Sequence, residues 1–170
     1  GMRFCVIGAG AMGGVYGLSL IEAGYKVNFL DVNRDHVNAV KENGFLLSGI
    51  GKKKVHKINI SDNENDFKNS ADVVLFHAHT TGTKSAALSA ASVLKPDGYA
   101  ITLQNGIGNI EALSEVLGAK RVMGGISYHS AALEDLGHVN HTNGGSTFIG
   151  ELDGVISPRL KSLELSLIHI

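Results

Sequence analysis

An apolar run, Arg3-Phe-Cys-Val-Ile7, leads into Gly8-Ala-Gly10-Ala-Met-Gly13, then a helical pattern and a second apolar run that ends on Asp31. This is G-x-G-x-x-G between a strand and a helix, with an acid closing the next strand. It has the order and spacing of a dinucleotide-binding βαβ unit. Gly8 suits a tight turn, Gly10 lets backbone approach a pyrophosphate, and Gly13 lets the helix lie close on the sheet. Phosphates there meet free N–H groups at a helix N-terminus, backed by a positive dipole. Ala9, Ala11 and Met12 therefore join the three glycines in the expected contact set. The implied ligand is a nicotinamide or flavin dinucleotide.

A chain of 170 residues is long enough for one domain with a sizeable core, and 44% hydrophobic with 18% charged residues is ordinary for a soluble globular protein. The net charge of −1 offers no electrostatic footprint for nucleic acid or an anionic membrane. Lys52, Lys53, Lys54 and Lys57 form the one basic cluster and read as a solvated hairpin edge. Cys5 is the only cysteine and sits in the first strand pattern. It reads as a small buried hydrophobe in a reducing, cytoplasmic setting. No apolar run is long enough to span a bilayer, no signal peptide is visible, and Gly1 before Met2 has the character of a tag remnant.

Apolar runs alternate with helical patterns, which predicts an α/β fold with a doubly wound, Rossmann-like parallel sheet over residues 2–157. Strands are expected at Arg3–Ile7, Lys26–Leu30, Val73–Phe76, Tyr99–Leu103 and Arg121–Ile126. Helices are expected at Ala11–Ala23, Arg34–Glu42, Thr83–Leu94 and Asn109–Leu117. Gly24, Gly44 and Gly118 then stand where left-handed helix caps belong. Phe45–Ser48 and Lys54–Ile60 predict a β-hairpin insertion, and Ser61–Ser70 a loop with a short helix. After Ser127 the pattern turns antiparallel, with Gly137–His141 and Ser146–Gly150 flanking an Asn143-Gly144-Gly145 turn. Residues 158–170 predict a helix whose stripe, Leu160, Leu163, Leu167 and Ile170, has nothing downstream to cover it. That reads as the first helix of an absent helical domain, with self-association through the stripe expected.

In a doubly wound sheet the ligand crosses the carboxyl ends of the strands. The loops His77-Ala78-His79-Thr80-Thr81 and Gln104-Asn105-Gly106-Ile107-Gly108 should thus line the nicotinamide end. Asn105, with a donor and an acceptor, suits a ribose and a substrate oxygen. His79 suits an anionic substrate as a hydrogen-bond donor, and His77 packs or caps. His77 and His79 would share a strand face, but no third ligand supports a metal site. His129, His138 and His141 read as surface or satisfied histidines. Asp31 favours the 2′-hydroxyl of NAD, whereas Arg34 could pair with the 2′-phosphate of NADP, so either NAD or NADP is open. The absence of G-x-S-x-G leaves nucleophilic hydrolysis without support.

From Arg3 to about Gly150 the chain resembles the ketopantoate reductases (2-dehydropantoate 2-reductases). The likeness rests on Gly8–Gly13, on Gln104-Asn-Gly-Ile-Gly-Asn-Ile-Glu-Ala-Leu113, on Val122-Met-Gly-Gly-Ile-Ser127, and on Gly137-His-Val139 with Phe148-Ile-Gly150. It implies a usually NADP-dependent reductase of a small 2-keto acid in pantothenate biosynthesis. Asn105 matches the asparagine at nicotinamide and substrate, and Ala131 a backbone contact to the cofactor. His79 stands where the family has a lysine. The resemblance also implies a following all-helical domain that carries the catalytic lysine, without which the chain should be inactive alone. Two competing readings are a stand-alone dinucleotide-binding sensor or degenerate subunit, and a reductase of another 2-keto or 3-hydroxy acid.

Overall fold

Runs that are apolar at nearly every position become interior strands, because a parallel strand is covered on both faces. The computed structural model describes residues 1–51, 53–78, 82–103 and 107–167. Its first half comprises β1 (Arg3–Ile7), α1 (Ala11–Glu22), β2 (Lys26–Leu30), α2 (Arg34–Asn43), β3 (Phe45–Gly49), β4 (Lys54–His56), β5 (Asn59–Ser61), β6 (Ala71–Phe76) and α3 (Thr83–Val93). The rest comprises β7 (Leu94–Thr102), α4 (Ile107–Leu117), β8 (Val122–Ser127), β9 (Ser130–Asp135), β10 (His138–Asn143), β11 (Thr147–Glu151) and α5 (Pro158–Leu167). Gly24, Gly44 and Gly118 all have positive φ, but ψ of 174° at Gly44 and 142° at Gly118 puts those two outside the left-handed helical region expected of them.

The main sheet has seven strands in the order β11-β8-β7-β6-β1-β2-β5, all parallel except β11. The chain winds outward from β1 to β2 and β5, then returns to β6 on the other side of β1. The switch point, where an open α/β sheet binds ligands, lies between β1 and β6. One sheet face packs under α1, the second sheet and α5, through Phe4, Val6, Tyr16, Phe29, Phe45, Val139 and Leu163. The other packs under α3 and α4, through Cys5, Val74, Phe76, Ala90 and Leu113. Burial pushes the Cys5 thiol up to about 12, so it behaves as the expected inert hydrophobe.

The second sheet has four strands in the order β4-β3-β10-β9. It corrects two expectations. Lys54–Ile60 is not one strand: β4 pairs with β3, whereas β5 leaves for the edge of the main sheet beside β2. The reason is burial, since Ile60 is almost wholly covered there while Val55 stays exposed. The strands around Asn143-Gly144-Gly145 do not pair with each other either. The hairpin turns at Leu136-Gly137, joining β9 to β10, and β11 crosses to β8. Gly145 makes that crossing possible, because a side chain there would collide with the Tyr128 carbonyl.

The C-terminal stripe is also corrected in part. Leu160 and Leu163 are buried in the main core, and Arg159 ties α5 down. Its guanidinium forms a two-pronged pair with Glu151, donates to Lys120 O at 2.6 Å, and lies 4.7 Å from the Tyr99 ring centroid. The side chain of Leu167 and the whole of Ile170 lie outside the described residues. No described helix is long and apolar enough to cross a membrane.

Candidate functional site

The glycine turn occupies the switch point. Gly8 has φ 94° and its N–H donates to Leu30 O at 2.9 Å, while the His77 N–H donates to Ile7 O at 2.8 Å. A side chain on Gly8 would collide with the His77 carbonyl, and one on Gly13 with the Gly8 carbonyl. On Gly10, by contrast, a Cβ meets nothing within 4 Å among the described residues. Two glycines are thus demanded by packing and the middle one faces open space. Helix α1 starts there with no side-chain cap and no acid in its first turn. Among the described residues, no side chain caps its leading N–H groups. Helix α2 shows the contrast, since the Asn33 side chain caps it by accepting the His36 N–H.

The Ala9 peptide is clamped from both sides. Its N–H donates to Asp31 Oδ2 at 2.8 Å, and its carbonyl accepts from His36 Nε2 at 2.7 Å. The tautomer follows from the other ring nitrogen: His36 Nδ1 accepts the Gly137 N–H at 3.0 Å, so Nε2 carries the proton. Asp31 Oδ1 accepts the Asn33 N–H at 2.8 Å. Arg34, 80% exposed, pairs with Asp62 at 3.2 Å. These contacts hold the turn rigid and place a fixed carboxylate at the end of β2.

On the other side of the switch, His77 lies at the carboxyl end of β6. Among the described residues neither of its ring nitrogens has a hydrogen-bond partner. Burial therefore holds it neutral, pulling it down to about 4. Thr102, at the carboxyl end of β7, likewise has a buried hydroxyl without a partner among the described residues. His129 and His141 are buried and joined, Nδ1 to Nε2, at 3.0 Å; both are shifted below the ordinary histidine value, chiefly by burial. His138 meets Ser48 at 2.7 Å. Ala78 packs half-buried beside the α3 core, and Ala131 lies on β9 opposite His141. His79, Asn105 and Gly106 lie outside the described residues.

The structure brings together Gly8–Gly13, Asp31 and the His77 backbone at the switch point. Arg34 is nearby but engaged elsewhere. Sequence reasoning missed His36, Asp62 and Tyr16. A histidine three residues past Asn33, on the stripe shared with Val37 and Val40, was the available signal for His36.

The ketopantoate reductase PanE/ApbA family model matches residues 4–154. The chain belongs to the ketopantoate reductase family. Among relatives, the 2-dehydropantoate 2-reductase of Archaeoglobus fulgidus is 32% identical over 155 residues, which is 91% of this chain and 49% of that protein. That of Pyrococcus horikoshii is 31% identical over 149 residues, 88% and 47% respectively. Among solved structures, 2-dehydropantoate 2-reductase from Geobacter metallireducens has a TM-score of 0.89 at 28% identity, covering 98% of this chain and 55% of that one. D-mandelate dehydrogenase in complex with NADH and anilino(oxo)acetate has a TM-score of 0.89 at 26% identity, covering 98% and 53%. The chain spans about half the length of the ketopantoate reductases it matches.

Proposed function

We propose that this chain is the cofactor-holding half of a nicotinamide-dependent reductase of a small 2-keto acid, with ketopantoate to pantoate as the family's reaction. The observation that carries this reading is the uncapped start of α1 beneath a middle glycine whose Cβ direction is open. Residues Ala11 and Met12 offer backbone N–H groups to a pyrophosphate, and Asp31 offers its carboxylate to an adenosine ribose hydroxyl. A bound nicotinamide supplies the hydride. The chain's own contribution is to grip and orient the dinucleotide: Asp31 and His36 stop the Ala9 peptide from turning, so its neighbours meet the phosphates without reorganising.

Our reading favours NADH over NADPH. Asp31 presents a fixed negative charge at the ribose edge, and Arg34 is drawn to Asp62. That departs from the usual NADP preference implied by the family likeness. On this reading substrate closure and the protonating acid come from a second, helical half, so the chain by itself binds cofactor and turns over little substrate. Asn105 and His79 remain the proposed contacts to substrate from this half.

Gly10→Val tests the reading cleanly. The new side chain meets no collision among the described residues, since none of their atoms lies within 4 Å of its Cβ, yet it fills the proposed phosphate approach. Titration by NADH fluorescence should show binding by the parent chain and none by the variant, with the melting temperature unchanged. Equal binding by both would move the site elsewhere.

A further inference from the structure

We infer that Tyr16 is a positioning residue for the nicotinamide end of the site: its hydroxyl fixes the phosphate-gripping helix against the strand ends that wall the nicotinamide. The inference rests on the dinucleotide reading above. Tyr16 belongs to α1, the helix that begins at the glycine turn, and is fully buried. Its O–H donates to Ser127 Oγ at 2.7 Å, and its oxygen lies 2.5 Å from Thr147 Oγ1. With the single phenol proton committed to Ser127, Thr147 is the donor to Tyr16. Ser127 closes β8 and Thr147 opens β11, and the two residues are direct cross-strand partners. One hydroxyl on the helix thus joins two adjacent strand ends at the carboxyl edge of the sheet.

The ring extends the same linkage. It stacks on His77, with centroids 6.2 Å apart and planes 16° from parallel, and takes His129 edge-on at 5.8 Å. The His129 ring is bonded to that of His141 on β10, and the backbone N–H of His129 donates to Ser127 Oγ at 3.3 Å. The adenosine half of a dinucleotide lies on the β2 side of the switch, with Asp31. The nicotinamide half therefore crosses toward the ends of β6 and β8; Tyr16 ties α1 to the end of β8 by its hydrogen bond and meets the end of β6 through the His77 stack. The segment Ser127–Ala131 follows directly. If α1 sets the phosphates and these strand ends set the ring, the bond between them sets the distance from one to the other. An error of about 1 Å in such a distance can cost a hundredfold in rate.

The test compares NADH with ADP-ribose, which keeps every part of the dinucleotide except the nicotinamide. Calorimetric titration of the parent chain should give binding of both, NADH the tighter. In Tyr16→Phe, which retains the ring, NADH should weaken about fivefold while ADP-ribose stays within about twofold, the fold-change one net hydrogen bond carries. Equal loss for both ligands means a general structural role and overturns the inference, as does no loss for either. A parent chain that binds neither overturns the dinucleotide reading and this inference together; one that binds both equally overturns only the inference. Should Tyr16→Phe not fold, Ser127→Ala removes the same bond from the other end and must show the same selective loss. Thr147→Ser keeps the hydroxyl and must keep the parent ratio.

Discussion

Asp31, the residue proposed for the adenosine end, has both carboxylate oxygens already accepting backbone N–H groups, from Ala9 and from Asn33. The carboxylate therefore cannot rotate its charge away from an approaching 2′-phosphate, yet each oxygen keeps a lone pair for a 2′-hydroxyl. Asp31→Ala should shift the NADPH-to-NADH affinity ratio toward NADPH by about 1 kcal/mol, the size of a charge–charge term at about 4 Å in water. The ratio of dissociation constants is the readout, and an unchanged ratio means that Asp31 does not face the ribose. Releasing Arg34 from Asp62 adds little, because exposed ion pairs are weak. His77 carries a pH dependence of definite sign. Its folded state favours the neutral ring, down to about 4, while an unfolded histidine takes its proton near 6.5. The unfolded chain binds more protons between those values, so stability is full above 6.5 and falls by about 3 kcal/mol as the pH drops toward 4. Denaturant midpoints measured from pH 7 to 4 should fall steeply in the parent and more gently in His77→Phe, which keeps the ring stack without the nitrogens. At this scale the sequence disclosed that Gly8 and Gly13 must lack side chains, although the group that excludes one at Gly8 is the distant His77 carbonyl. It did not disclose Tyr16, an unremarked position in an apolar helix whose hydrogen-bond partners lie 111 and 131 residues away.

At the scale of elements, α5 shows how a short amphipathic pattern is settled by what it docks on. Leu163 is completely buried in the α1-side core, and Arg159 locks the helix through Glu151. Leu163→Ala should cost about 2–5 kcal/mol, the range for a buried leucine truncated without full collapse. Urea unfolding of the two proteins measures it, and a loss under about 1 kcal/mol would show the helix to be loosely held. The parallel strands and the helices between them were legible because apolar runs, helical periodicity and capping glycines agree with one another. Boundaries moved modestly, as β7 beginning at Leu94 rather than Tyr99 illustrates. What could not be read was partner choice. Lys54–Ile60 has the composition of one strand, and only the pull of Ile60 toward Phe29 on a different sheet divides it. Asn143-Gly144-Gly145 has the composition of a hairpin turn, and only the proximity of Tyr128 shows that it carries the chain between sheets.

For the whole molecule, two sheets share a core through α1, and the glycine turn is held by parts of both. Asp31 reaches it from the end of β2, and His36 links it to Gly137 in the β9–β10 turn. The cofactor end of the fold is thus braced by chain segments about a hundred residues apart, which is why its stiffness was invisible in the motif itself. The smaller sheet has a consequence in time. Its β3 pairs in parallel with β10, and the bond from Ser48 to Asn140 spans 92 residues of sequence. On a ribosome adding about 5–20 residues per second, the β3–β4 hairpin emerges and then waits roughly 5–20 s before its second neighbour is made. Through that interval one edge of β3 lies open to any other nascent strand. Lys53, Lys54 and Lys57, exposed along β4 on the opposite side of the hairpin, charge the outer edge that the finished sheet keeps and leave the waiting edge of β3 uncharged by them.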